Sequence, residues 1–205
     1  MNEMPTFFNI SESHRTFLWL WHKTGTTHMR NLLKNFDFKF YKIVDSKKTL
    51  FIDKVVEQHD CFLFEGHEEY KLMVSARNPY SRYVSQYRFF LEPKNFDISH
   101  FEEYLYKIIE TESNCFDCTN FETRKPDYYV RMEHMYEDYL NIPFIRDSDF
   151  TKSGLLEKKC KEKINHNPSV IPWQDYYTQD SADFVFNNFR NYFKFFEYDK
   201  NSWKK

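Results

Sequence analysis

The residues of this chain best suited to chemistry lie in one short run, His22-Lys23-Thr24-Gly25-Thr26-Thr27. Lysine supplies a compact positive charge, threonine hydroxyls supply donors, and glycine lets backbone approach a ligand closely. That set suits an anion with several acceptor oxygens, such as a phosphate. The lysine precedes the run's only glycine, so the pattern is not the Walker A loop, in which lysine follows the second glycine. Taken alone, the run also reads as a plain helix start with a threonine cap and a solvated lysine.

The flanking residues say which elements must hold it. Thr16 to Trp21 is an apolar run rich in aromatics, which predicts a buried strand. From Thr26 onward, Met29, Leu32, Leu33 and Phe36 recur at three- and four-residue spacing, which predicts a helix. The order is strand, tight loop, helix start. Amides at a helix start point at an anion, and the helix dipole favours negative charge there.

Two further strand ends carry polar chemistry. Tyr70 to Ala76 predicts a strand that runs into Arg77-Asn-Pro-Tyr-Ser-Arg-Tyr-Val-Ser85, with Pro79 opening a helix over 79–91. Arg77 and Ser85 are candidate anion ligands there. Cys61 to Glu65 predicts another strand, ending at Glu65-Gly66-His67, where a carboxylate and a histidine sit together as candidate bases. In isolation, Arg77 reads as an ordinary ion-pair arginine and His67 as an exposed loop histidine. His22 and His28 flank the first loop, and Arg131 with Glu133 reads as an internal ion pair or a helix-start contact.

The remaining chain supplies scaffold. Strands are expected at Phe38–Val44 and Tyr128–Met132. Helices are expected at Ser46–Gln58, 97–112, 134–140, Leu155–Ile164 with Asp149 as its cap, and 180–195. The run Lys158, Lys159, Lys161 and Lys163 reads as a solvated helix face. Alternation of strands and helices predicts an α/β fold in three layers, a central and mainly parallel sheet flanked by helices, with ligands at the carboxyl ends of strands.

The 205 residues are expected to form a single domain, 1–205, with residues 1–14 as a loosely packed lead-in. Aromatic residues make up 20%, which argues for a packed core, and the net charge of −2 provides no general basic field for nucleic acid or anionic membrane. There is no signal-peptide pattern and no apolar run of membrane-spanning length, so the expectation is a cytoplasmic protein without a membrane anchor; a trimmed lumenal enzyme is the alternative. Cys115 and Cys118 have metal-like spacing but no second pair, and no metal is expected.

Together, Lys23-Thr-Gly-Thr-Thr27 and Arg77-Asn-Pro-Tyr-Ser-Arg-Tyr-Val-Ser85-Gln-Tyr87 resemble the signature of sulfotransferases that use 3′-phosphoadenylyl sulfate (PAPS). Tyr129-Val-Arg-Met-Glu133 resembles that family's strand ending in Arg-x-Glu, and Trp173 through Tyr198 resembles the tyrosine-rich region of its carbohydrate-type members. The resemblance spans 16–198. It implies a P-loop-like sulfotransferase fold and transfer of a sulfuryl group from PAPS to a hydroxyl, on a glycan or a small sugar-containing molecule, leaving 3′,5′-adenosine bisphosphate (PAP). His22, Lys23, Thr24, Gly25, Thr26 and Thr27 would hold the 5′-phosphosulfate, and Arg77 and Ser85 the 3′-phosphate. Lys23 would stabilise the leaving group, with His67 as base or Glu65 in its place. The chain departs from the family in having His22 where proline is usual before the lysine. The competing expectations are a nucleotide-binding protein without catalysis and a P-loop-like kinase.

Overall fold

The computed structural model describes residues 7–20, 23–42, 69–91, 98–112, 125–162 and 171–204. In chain order the strands are β1 (Phe7–Ser11), β2 (Thr16–Leu20), β3 (Lys39–Lys42), β4 (Lys71–Ala76) and β5 (Tyr128–Arg131). The helices are α1 (Thr26–Leu33), α2 (Pro79–Leu91), α3 (Phe101–Glu112), α4 (Met135–Leu140), α5 (Pro143–Arg146), α6 (Asp149–Lys152), α7 (Leu155–Lys161), α8 (Gln179–Asn188) and α9 (Arg190–Phe195). The expected helix Ser46–Gln58 and strand Cys61–Glu65 lie outside the described residues, as do Cys115 and Cys118. Two compact units result: residues 1–76 with 120–165, and residues 77–119 with 166–205.

The first unit is α/β. Its sheet has the order β3-β1-β2-β4-β5, with β2, β4 and β5 parallel and β1 antiparallel to both β2 and β3. Alternation puts Leu18, Leu20, Met73 and Val130 in the core. There they pack with Met29, Leu32 and Leu33 of α1 and with Met135, Tyr139, Ile142 and Ile145 farther along the chain. Each fully buried aliphatic side chain there is worth about 1.5–3 kcal/mol of transfer free energy, so this apolar face is what fixes α1 on the sheet.

The second unit is helical and aromatic. Tyr80 of α2 lies edge-on between Tyr177 at 5.1 Å and Phe193 at 5.2 Å, and Phe101 of α3 meets Tyr87 at 5.3 Å and Tyr177 at 5.2 Å. Edge-to-face pairs add about 0.5–1.5 kcal/mol each beyond burial. The aromatic stripe of the C-terminal helices is therefore core, as its spacing suggested.

Three expectations change. The lead-in 1–14 contains a strand, β1, hidden in the sequence because its inward positions include the polar Asn9 and Ser11, both fully buried. The sheet is mainly parallel as expected, with β3, β2, β4 and β5 running the same way and only β1 reversed, where the chain turns back through the hairpin Glu12–Arg15. The lysine-rich helix does not run from an Asp149 cap. Ser148 caps α6, accepting the Thr151 N–H at 3.2 Å, and Gly154 in the left-handed conformation separates α6 from α7. The last helix is two, broken at Phe189.

Candidate functional site

The loop after β2 is built as a tight reversal. Lys23 has φ +61° and Gly25 φ +79°, two left-handed residues flanking Thr24. For a non-glycine residue that conformation costs about 1–2 kcal/mol, so the surrounding structure must hold Lys23 in place. Thr24 does part of this: it is fully buried, and its Oγ1 lies 2.5 Å from Oγ of Ser75, also fully buried, on β4. Gly25 is the N-cap of α1, and no side chain caps that helix; Met29 N–H donates to the Gly25 carbonyl at 3.0 Å. Lys23, Thr26 and the glycine itself are half-buried, and Thr27 is exposed.

Sequence reasoning assigned Gly25 to the close approach of a ligand. The structure gives a different neighbour. A Cβ at Gly25 would stand 1.7 Å from Sδ of Met132, just beyond the end of β5. The missing side chain makes room for Met132, and the positive φ is a second reason for glycine.

His28, on the first turn of α1, is buried with 8% of its surface exposed. Burial holds its imidazole below the usual histidine range, while Glu162 and a hydrogen bond to the Lys159 carbonyl pull the other way. It ties α1 to the end of α7. The lysines of α7 are solvated: Lys159 pairs with Glu162 at 2.8 Å and Lys161 with Glu157 at 2.5 Å. Arg131 forms its ion pair with Asp138, whose Oδ1 receives Nη2 at 2.8 Å and whose Oδ2 receives Nε at 3.0 Å and the Arg131 N–H at 2.7 Å. Glu133 is exposed.

Arg77 and Ser85 belong to the second unit. Asn78 caps α2, its Oδ1 accepting the Tyr80 N–H at 3.0 Å and its carbonyl the Arg82 N–H at 2.9 Å. Arg77 turns its Nε onto Ser81 Oγ at 3.0 Å. Ser81, Ser85 and Arg88 follow one another at helical spacing along one side of α2, which begins two residues after Arg77. Ser85 is half-buried there, about 9 Å along the helix from its first residue, Pro79, at 1.5 Å rise per residue. Arg88 serves the fold: it donates to Tyr176 Oη at 3.1 Å and to the Ile171 carbonyl at 2.5 Å.

His22, Glu65 and His67 lie outside the described residues. Three residues the sequence did not point to are Ser75, Met132 and Tyr192, the last because its hydroxyl binds both backbone groups of Arg77. Nothing local marks them, since each acts across a long stretch of chain. Cys160 is half-buried, and burial pushes its thiol up to about 12, so it stays protonated. Among the described residues no helix is long and apolar enough to cross a membrane, and no cluster of three His, Cys, Asp or Glu side chains could hold a metal ion. Compared with protein-family models, curated proteins and solved structures, the chain matches none.

Proposed function

We propose that this protein is a sulfotransferase that moves the sulfuryl group of PAPS to a hydroxyl, with a sugar as the acceptor. The observation that carries the reading is the loop Lys23–Thr27. It puts a lysine and two threonines at the start of an eight-residue helix whose N-cap is a left-handed glycine without a capping side chain. Such a start favours a bound anion through amide donors and the helix dipole. The fully buried Thr24–Ser75 contact keeps the loop in that shape.

The chemistry then follows from the residues. The acceptor oxygen attacks sulfur in line, the bond from sulfur to the bridging phosphate oxygen breaks, and the electron pair leaves on the phosphate. Lys23 stabilises that developing charge, and a base, His67 or Glu65, takes the acceptor proton. Arg77 and Ser85 are assigned to the 3′-phosphate on the strength of the resemblance. The acceptor class rests on it too.

The test is calorimetric titration with PAP, with and without Mg²⁺, against ATP, followed by turnover with PAPS. Metal-independent PAP binding is expected, with Lys23→Ala lowering turnover by about 10²–10³-fold. ATP binding that requires Mg²⁺ would favour the kinase alternative, and PAP binding without transfer to any sugar acceptor the non-catalytic one.

A further inference from the structure

We propose that Tyr192 is a positioning residue for Arg77, and that through it the C-terminal stretch 192–202 sets how strongly the protein prefers a nucleotide bearing a 3′-phosphate. The inference rests on the assignment of Arg77 to that phosphate. All the contacts behind it lie within the second unit.

One hydroxyl serves both backbone groups of one residue. Tyr192 Oη accepts the Arg77 N–H at 3.1 Å and donates to the Arg77 carbonyl at 3.2 Å. Because peptide groups are planar, holding the N–H and the C=O fixes the two planes on either side of the Arg77 Cα, and so the direction in which its side chain leaves. Tyr192 is itself held: only 3% exposed, it packs on Phe196 at 4.6 Å and stacks on Tyr198 at 6.2 Å.

The next residues are stapled to the same stretch. Asn78 Nδ2 donates to Ser202 Oγ at 2.7 Å, and Tyr80 Oη to the Lys200 carbonyl at 2.7 Å. The Nε–Ser81 bond then orients the guanidinium fork from the other end. An arginine fixed at both its backbone and its Nε loses less freedom on meeting a doubly charged oxyanion, and geometry governs how well the fork matches it. A tyrosine serving only as core would leave that match untouched.

The experiment measures the full chain's affinity for PAP and for adenosine 5′-monophosphate, and takes their ratio as the readout of the 3′-phosphate. Tyr192→Phe removes one oxygen and should lower the ratio about five- to tenfold, with the monophosphate affinity unchanged. Ser202→Ala should lower it about two- to threefold. Tyr176→Phe, which removes the Arg88 partner instead, should leave it as in the wild type. A folded Tyr192→Phe protein with the wild-type ratio overturns the inference. If Tyr192→Phe does not fold, an unchanged ratio in Ser202→Ala does so. A wild-type ratio of one, or a ratio kept in Arg77→Ala, sinks the assignment of Arg77 itself and this inference with it.

Discussion

At the start of α1 the cap is Gly25, left-handed and without a capping side chain; at the start of α2 it is Asn78, whose carboxamide accepts the Tyr80 N–H, followed by Pro79, which has no N–H to offer. The first arrangement leaves a helix start suited to an anion through backbone donors. The second uses its local donors internally, so an anion there would be met by side chains, Arg77 and Ser85. Local sequence reports the difference: Lys-Thr-Gly-Thr-Thr against Arg-Asn-Pro-Tyr-Ser. A basic residue before a helix does not by itself say which part of the backbone or side chain will bind.

The comparison can be broken most forcefully at Gly25. Gly25→Ala adds the left-handed penalty to a collision with Met132 and should cost about 2–5 kcal/mol in urea denaturation. Met132→Ala in the same protein should return the packing part and leave the backbone part. A loss below about 1 kcal/mol for Gly25→Ala would mean the loop is not held as described. Next in size is Asn78→Ala, expected to cost about 1–2 kcal/mol by losing the cap and the Ser202 bond, with no effect on anion binding at α1.

The smallest effect depends on pH. Burial depresses His28 and also His14, both in the first unit, below the 6.5 of an exposed histidine. The unfolded chain then takes up protons first as pH falls, so stability is full above about pH 6.5 and declines as pH drops from there through the lower native values. Around His28 the charged groups are Glu162 and Lys159, and beside His14 it is Asp37, which opposes the shift. Denaturation between pH 7.5 and 5.5 should show this slope, reduced in His28→Gln with the His14 part remaining. An identical slope in that variant would show that His28 does not titrate as burial requires.

The elements nearest the loop were legible because their signals are local. The apolar run into Lys-Thr-Gly located β2 and α1, and Pro79 with its aromatic stripe placed α2 at 79–91. β1 was not legible, since it buries Asn9 and Ser11 where a strand usually buries apolar groups. Asn9 is completely enclosed, and among the described residues neither of its amide atoms has a hydrogen-bond partner, an arrangement that no periodicity rule anticipates. Its hairpin turn hides too, because Arg15 and not glycine takes the positive φ of +45°. Arg131 was foreseen in an ion pair, but its partner Asp138, in α4, was not anticipated. Met132, Ser75 and Tyr192 act through contacts that only folding creates.

The packing of Met132 against Gly25 has a consequence for synthesis. The first unit is assembled from two separate stretches of chain, 1–76 and 120–165, and Met132 leaves the ribosome more than a hundred residues after Gly25. At 5–20 residues per second that interval is roughly 5–20 s. For its duration the loop has no Met132 beneath it, and β4, once made, lacks its parallel neighbour β5. The apolar strand Phe17–Leu20 must wait beside an unfinished sheet, a period in which binding by a chaperone would protect it from pairing with another nascent chain.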